Sequence, residues 1–148
     1  MKIGLVYAMT GEIESLLTQE NAQPLQTVAG VPFYQIRPDV IACAGGVSKV
    51  NAAMATQLLI SLYQPDLVLN AGVAGCFENM PIGSIVLAEG FLQHDVDTTP
   101  LGDPIGLVST VNRVQFPTSD LDRARAAMDR VGVPYRCLLY TSPSPRDR

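Results

Sequence analysis

The period of apolar and polar positions changes repeatedly along the chain, which predicts alternating strands and helices. Residues 2–8 form a near-continuous apolar run, typical of a strand buried on both faces. After a short break, apolar side chains recur at helical spacing on Ile13, Leu16 and Leu17, and Thr10 is expected to cap this first helix. The start of the chain therefore predicts a β-strand followed at once by an α-helix.

Further strands and helices alternate in the same way. Strands are predicted at residues 31–36, 40–44, 67–70 and 85–89, the last continuing into residues 91–94 after a kink at Gly90. A second helix is predicted from a cap at Ser48 to about Tyr63, and a third from residues 118–120 to about Val131. The apolar stripe of the second helix is expected on Val50, Ala53, Met54, Ala55, Leu58, Leu59 and Leu62. This alternation indicates an α/β fold, a layered mixed, largely parallel sheet flanked by helices.

The last dozen residues depart from the pattern. Where the fold requires another buried strand, residues 137–148 offer a few apolar side chains and then Ser-Pro-Ser-Pro. Proline cannot donate to a strand ladder, so no central strand is expected here. We expect residues 1–136 to be the N-terminal part of a single domain, incomplete at its C-terminal end. Residues 137–148 are expected to be a non-native or disordered tail of a truncated chain.

Composition narrows the class of protein. The chain has 148 residues, 47% of them hydrophobic and 16% charged, which fits one globular domain and not a disordered segment. The net charge of −4 makes a broad nucleic-acid surface improbable, and no apolar run reaches the ~18–20 residues that span a bilayer. Three cysteines without a CxxC motif and a single histidine, His94, argue against a disulfide framework and a multi-histidine zinc site. A reduced, cytoplasmic compartment fits best.

Three candidate sites directly follow predicted strands, at the edge where open parallel sheets bind ligands. They are residues 8–12, residues 44–50 and the small-residue segment 70–77. Glu12 is a candidate for chemistry, although on spacing alone the helix dipole explains an acidic residue in a first turn better. The turn at Gly45 and Gly46 has the shape of an anion-binding loop, or simply of a tight turn. The small residues would let a flat ring lie against the backbone, or would let the loop pack tightly.

A fourth candidate lies in residues 93–103. His94 stands close to Asp95 and Asp97, a set that could bind Mg²⁺ or supply a general base, although such a histidine is more often structural. Cys76 has no base beside it in the sequence, and it is expected to be a buried, inert thiol. None of these four segments identifies a function by itself.

In order and spacing, the four segments together resemble the N-terminal half of the 5′-methylthioadenosine/S-adenosylhomocysteine nucleosidases, a family of the nucleoside phosphorylase superfamily. The matching elements are residues 1–4 leading to Ala8, Met9 and Glu12, then residues 46–50, 70–75, 83–86 and 94–99. The resemblance covers the chain from Met1 to about Arg136. It implies a nucleoside phosphorylase-like fold and hydrolysis of the N-glycosidic bond of an adenine thionucleoside, with adenine and a 5-thioribose derivative as products.

The resemblance also assigns roles to residues. It implies that Glu12 is the catalytic carboxylate, which would position and activate the attacking water. The substrate-binding positions that it implies are Met9 near the sugar, Val47 at the thioribose, Val73, Ala74 and Gly75 at the adenine, and Leu101 at the 5′-alkylthio pocket. Leu101 would act across the interface of a homodimer, which is the family's usual state in the full-length protein. No metal, nicotinamide or flavin cofactor is implied.

The chain departs from the family in three ways. Leu101 stands where the neighbouring subunit of the family's dimer usually supplies an aromatic, which keeps the 5′-alkylthio pocket apolar but changes its shape. Val73 stands where the family often has serine, which removes one polar contact. Nothing after Arg136 resembles the family's Met-Glu motif, which holds the ribose hydroxyls, or the aspartate that protonates the purine at N7. We therefore expect the 148-residue chain itself to be catalytically deficient, since a leaving adenine anion needs that proton.

Three other functions stay open at this stage. A phosphorylase of the same superfamily would use phosphate in place of water, but phosphate calls for arginine donors, and before residue 95 the chain offers only Lys2, Arg37 and Lys49 as cations. A futalosine or aminofutalosine hydrolase would share the chemistry and differ in the 5′ pocket. A non-catalytic nucleoside-binding module would explain the missing acid and ribose motifs.

Overall fold

Strands and helices alternate through most of the chain. The computed structural model describes residues 1–76 and 79–141, which fall into two compact units, Met1–Ala74 and Gly75–Arg148. The first unit contains β1 (Ile3–Tyr7), α1 (Thr10–Gln19), β2 (Gln23–Val28), β3 (Val31–Arg37), β4 (Val40–Ala44), α2 (Lys49–Tyr63) and β5 (Leu67–Asn70). The second contains β6 (Ile85–Leu92), a 3-10 turn (Thr99–Leu101), β7 (Gln115–Pro117), α3 (Leu121–Val131) and β8 (Tyr135–Thr141). The α/β class predicted from the sequence is confirmed.

The first unit is built on a five-stranded mixed sheet in the order β2-β3-β4-β1-β5. β1 runs parallel to both of its neighbours, and Val6 lies opposite Cys43 of β4 and Asn70 of β5. β3 pairs antiparallel with β4 and with β2. The carboxyl ends of β4, β1 and β5 therefore meet at one edge of the sheet, the edge where ligands bind in open parallel sheets.

Alternate side chains of the sheet form two separate cores. Val6, Phe33 and Cys43 face α2, where Ala55 and Leu59 pack against them. On the opposite face, Ile13 of α1 packs with Ile36, Ala42, Leu5 and Tyr7. The first unit thus has three layers, with one helix on each side of the sheet. This arrangement fixes the start of each helix beside the end of the strand that precedes it.

Most of the predicted elements of the first unit are confirmed, with three differences. Thr10 is the first helical residue of α1, and Met9 takes the N-cap position in its place. In α2, only Ala55 and Leu59 of the expected stripe are buried, while Val50 is 77% exposed. β2 was not anticipated, because its six residues include a proline and five are exposed, so they show no apolar alternation.

The second unit holds a three-stranded sheet in the order β7-β6-β8. β6 pairs antiparallel with β7 and parallel with β8, and its register shifts between Ala88 and Gly90, at the predicted kink. β6 then continues to Leu92, as expected. No helix in the described part of the chain is long and apolar enough to cross a membrane.

The last described strand crosses the boundary that the sequence predicts. β8 pairs in parallel with β6 along its whole length and lies at the edge of the sheet that the described residues form. The boundary expected at Arg136 falls inside β8, so for residues 137–141 the expectation of disorder gives way to strand pairing. The Ser-Pro-Ser-Pro segment lies outside the described residues.

Candidate active site

The loops that follow β1, β4 and β5 are tied together by backbone hydrogen bonds. Gly45 N–H donates to the carbonyl of Tyr7 at 2.9 Å, and Gly46 N–H donates to the carbonyl of Ala8 at 2.9 Å. On the other side, the N–H of Ala71 donates to the carbonyl of Val6 at 3.1 Å. The first residues of the three loops that follow β1, β4 and β5 are therefore neighbours in the structure.

Glu12 lies where these loops converge. Its side chain turns back over the first turn of α1, and Oε2 accepts hydrogen bonds from the backbone N–H of Ala8 at 3.1 Å and of Met9 at 2.9 Å. The bond from Met9, the N-cap, satisfies an N–H group that the helix leaves unpaired at its start. To this extent Glu12 has an ordinary structural role at the helix start, where the helix-dipole explanation expects an acidic residue.

A third hydrogen bond goes beyond capping. Oε1 of Glu12 accepts from the backbone N–H of Val73 at 3.0 Å, and Val73 lies 61 residues away along the chain, in the loop after β5. The helix dipole gives no reason for this bond. The carboxylate therefore bridges the ends of two adjacent parallel strands, half-buried, with both of its oxygens engaged.

The carboxylate retains capacity for one more donor. Two carboxylate oxygens offer about four lone-pair positions in total. Donors among the described residues occupy two of these positions on Oε2 and one on Oε1. The position that is left belongs to Oε1, so this atom of Glu12 is the one that can accept a hydrogen bond from a ligand or from water.

The charges near this edge are few. Burial, and next to it the negative charge of Glu12, raise the pKa of Tyr7 above its ordinary value. Arg37 is bound to Glu20 at 2.6 Å, while Lys2 precedes β1 and donates through Nζ to the carbonyl of Tyr63 at 2.9 Å. Two of the three cations that could attract a phosphate in this part of the chain therefore have other partners.

The start of α2 lies beside the same edge. Ser48 is the N-cap, and its Oγ accepts from the N–H of Asn51 at 3.2 Å, as predicted for this residue. Its backbone has φ 123° and ψ 159°, a conformation that only glycine adopts readily. Asn51 in turn donates through Nδ2 to the carbonyl of Val47 at 2.8 Å, and the side chain of Val47 is 60% exposed.

The predicted site residues fall in both units. In the first unit, Met9 and Val73 meet at the Glu12 carboxylate through their backbone N–H groups, and their side chains are 45% and 77% exposed. Ala74, also exposed, follows Val73 in the loop. Gly75 begins the second unit, where Leu101 ends the 3-10 turn and is 82% exposed.

Segment 93–103 of the second unit is organised by its own turns. Asp97 Oδ1 accepts from the N–H of Thr99 at 3.0 Å and from its hydroxyl at 2.7 Å, and these bonds lower the pKa of Asp97. Asp103 accepts from the Thr98 hydroxyl at 3.0 Å. Within residues 1–76 and 79–141, no three His, Cys, Asp or Glu side chains are grouped to hold a metal ion.

Cys76 differs from its prediction. Its thiol is exposed and not buried, and its Sγ lies 3.6 Å from Sδ of Met80. The buried thiol is that of Cys43, in the core under α2. A depression of about 310 Å³ on the β2–β3 hairpin involves none of the predicted site residues.

Two residues at the site were not selected by the sequence analysis. Burial and then the charge of Glu12 raise the pKa of Tyr7. Gly72 lies against the Glu12 carboxylate, and a Cβ added to Gly72 would come within 2.9 Å of Oε1. The only sequence signal for Gly72 is its place in a run of small residues. No feature of the sequence marks Tyr7 as a site residue, since an aromatic residue at the end of a buried strand is ordinary core composition.

Comparison with known proteins identifies the family. Residues 2–144 match the sequence model of the phosphorylase superfamily, and the chain belongs to this superfamily. It is 36% identical, over 137 residues, to the 5′-methylthioadenosine/S-adenosylhomocysteine nucleosidase of Shewanella sp. (strain W3-18-1). The match covers 89% of this chain and 59% of the relative, so the chain spans little more than half of that protein's length.

Solved structures agree with this assignment. A 5′-methylthioadenosine/S-adenosylhomocysteine nucleosidase from Colwellia psychrerythraea, in complex with adenine, is 31% identical with a TM-score of 0.84, covering 97% of this chain and 62% of that one. A futalosine hydrolase mutant of Helicobacter pylori gives a TM-score of 0.85 at 23% identity, covering 96% and 64%. The second likeness speaks for the fold alone. The resemblance predicted from the sequence is thereby confirmed.

Proposed function

We propose that the protein hydrolyses the N-glycosidic bond of 5′-methylthioadenosine and S-adenosylhomocysteine, giving adenine and a 5-thioribose derivative. The observation that carries the proposal is the Glu12 carboxylate, held by backbone N–H groups of two strand ends. Support comes from the nucleosidase of Shewanella sp., which aligns with the chain over 137 residues.

In the proposed reaction, Glu12 acts on both the water and the sugar. Water donates a hydrogen bond to the remaining acceptor position of Oε1 and attacks C1′ of the ribose as the bond from C1′ to the purine nitrogen breaks. The proton that the water loses passes to the Glu12 carboxylate. The electron pair of that bond leaves with the adenine. Positive charge develops on the ribose in the transition state, and a nearby fixed carboxylate stabilises it. Because three N–H donors already hold the carboxylate in place, little reorganisation is needed at the moment of reaction.

The remaining site residues are proposed to bind substrate. Met9 would contact the sugar and Val47 the thioribose, and both side chains are exposed at the Glu12 edge of the first unit. Adenine would lie against the loop formed by Val73, Ala74 and Gly75, and Leu101 would contact the 5′-alkylthio group. Their exposure is compatible with binding, because an unoccupied apolar contact surface is open to solvent.

Water is favoured over phosphate as the nucleophile by the charges at this edge. A phosphate dianion requires nearby cationic donors, but Arg37 is paired with Glu20 and Lys2 lies before β1. The Glu12 carboxylate would also repel the dianion. Lys49, the third cation, begins α2 beside this edge, but a single lysine does not replace the arginine donors that suit a phosphate dianion.

The whole protein is proposed to be a cytoplasmic homodimer that needs no cofactor. A leaving adenine also needs a general acid, worth typically ~10²–10⁴-fold in rate. No residue of this chain is assigned that role, so we propose that the 148 residues alone are catalytically deficient, as the sequence predicts.

The test is nucleoside cleavage by the protein expressed from its complete reading frame. We expect adenine release from methylthioadenosine and S-adenosylhomocysteine at the same rate with and without phosphate, and a free reducing sugar as the second product. Inosine and adenosine are the comparison substrates. Cleavage that requires phosphate and yields a sugar 1-phosphate would establish the phosphorylase reading in its place, and tight nucleoside binding without cleavage would establish the binding module.

A further inference from the structure

The Glu12 carboxylate lies against Gly72. A Cβ placed on Gly72 would come within 2.9 Å of Oε1, 3.2 Å of Cδ and 3.3 Å of Oε2, and these are its three nearest heavy atoms. The backbone of Gly72 is outside the left-handed region, so its conformation does not demand glycine. The requirement at this position is therefore space, and Glu12 uses that space.

We propose that Gly72 is a positioning residue for Glu12, an inference that rests on the proposed hydrolysis. The missing side chain lets the carboxylate lie flat on the loop after β5. There Oε1 reaches the N–H of Val73 at 3.0 Å and keeps its second lone pair for the attacking water. Gly72 acts through Glu12 and touches neither water nor sugar in this scheme.

The effect of a side chain at position 72 depends on the atoms that it would contact. The nearest atoms belong to the flexible end of Glu12 and not to backbone. The fold can therefore accept alanine if the carboxylate swings away. That movement breaks the bond to the Val73 N–H and moves Oε1 from the position where it orders water. The protein would stay folded and lose the geometry of the reaction.

The kinetic experiment compares Gly72→Ala with Gly11→Ala in the protein expressed from its complete reading frame. Gly11 immediately precedes Glu12, and a Cβ placed there has no heavy atom within 4 Å. We expect Gly72→Ala to lower kcat about 100-fold with KM changed less than about threefold, since a displacement near 1 Å can cost that much. Gly11→Ala should keep the wild-type kcat. In a Glu12→Gln background, Gly72→Ala should lower kcat no further, because its effect passes through that carboxylate.

A second measurement does not depend on activity. The Val73 amide is protected by its bond to Oε1, so its hydrogen exchange, followed by NMR, reports the position of the carboxylate. Loss of a hydrogen bond to a charged group costs enough free energy that the Val73 amide should exchange roughly 10- to 100-fold faster in Gly72→Ala and in Glu12→Ala. The double variant should exchange no faster than either single variant.

The two measurements separate the inference from the proposed function. Unchanged Val73 exchange or an unchanged kcat in Gly72→Ala would overturn the positioning role. If Gly72→Ala fails to fold while the double variant with Glu12→Ala folds, the steric contact between the two residues is supported, and failure of both would refute it. If the wild-type protein cleaves no nucleoside, the proposed function falls, and Val73 exchange still decides the role of Gly72.

Discussion

Glu12 shows how much of a single residue's role depends on distant backbone. The sequence analysis placed it correctly at the start of the first helix, where the helix-dipole explanation and a catalytic one made the same prediction. The helix dipole does not explain the bond from the Val73 N–H, and no local sequence pattern indicates a partner 61 residues away. For the same reason the packing of Gly72 on the carboxylate could not be predicted, although its place in a small-residue loop was visible.

Cys43 offers a pH-dependent prediction at this scale. Burial raises the pKa of its thiol to about 11, whereas an unfolded chain has a cysteine pKa of ~8.5. Below pH ~8.5 both states keep the proton, and above it the unfolded state releases the proton first. The contribution of Cys43 to stability is therefore fully present below pH ~8.5 and is lost as the pH rises towards about 11.

The measurement is urea unfolding of the wild type and of Cys43→Ala between pH 7 and 11. The alanine variant should be less stable at pH 7, because it leaves a cavity beside Leu59, and the difference should shrink as the pH rises. A difference that stays constant across this range would contradict the account of Cys43.

At the scale of elements, periodicity predicted the strands that are covered on both faces, but it did not predict the buried face of α2 or the exposed strand β2. β1 and β4 were predictable because both of their faces are covered, which gives continuous apolar runs. The buried face of α2 was not predictable, because the helix carries apolar residues on most sides. The pattern therefore could not select Ala55 and Leu59 as the buried residues. β2 and β8 are edge strands of their described sheets, and five of the six residues of β2 are exposed, which leaves no apolar alternation to recognise.

Ser48 gives the second prediction, at the start of α2. Its hydroxyl caps the helix, but its backbone is in a region that costs non-glycine residues about 1–3 kcal/mol. Ser48→Gly loses the cap, which costs only a few tenths of a kcal/mol for glycine, and removes the strain. Ser48→Ala loses the cap at about 1 kcal/mol and keeps the strain. Urea unfolding should therefore find Ser48→Gly more stable than Ser48→Ala by about 2 kcal/mol, with the wild type between them. The reverse order would show that φ 123° is not strained here.

At the scale of the whole molecule, the first unit contains the proposed nucleophile-ordering group, and the family assignment extends over residues 2–144. The Shewanella relative is longer, since the match covers 59% of it. The fold class and the family could be predicted because several short motifs occur in a fixed order. The general acid could not be predicted in this way, because a general acid is recognised by its position relative to the substrate and not by a local sequence pattern.

The central claim is that the Glu12 carboxylate orders the attacking water, and its direct test is the rate of adenine release from methylthioadenosine by Glu12→Gln. The matched control is Glu14→Gln, an exposed carboxylate on the same helix. In the protein expressed from its complete reading frame, we predict that Glu12→Gln lowers kcat by roughly 10²–10⁴-fold with a nearly unchanged KM, and that Glu14→Gln has the wild-type rate. A Glu12→Gln variant that releases adenine as fast as the wild type would contradict the claim.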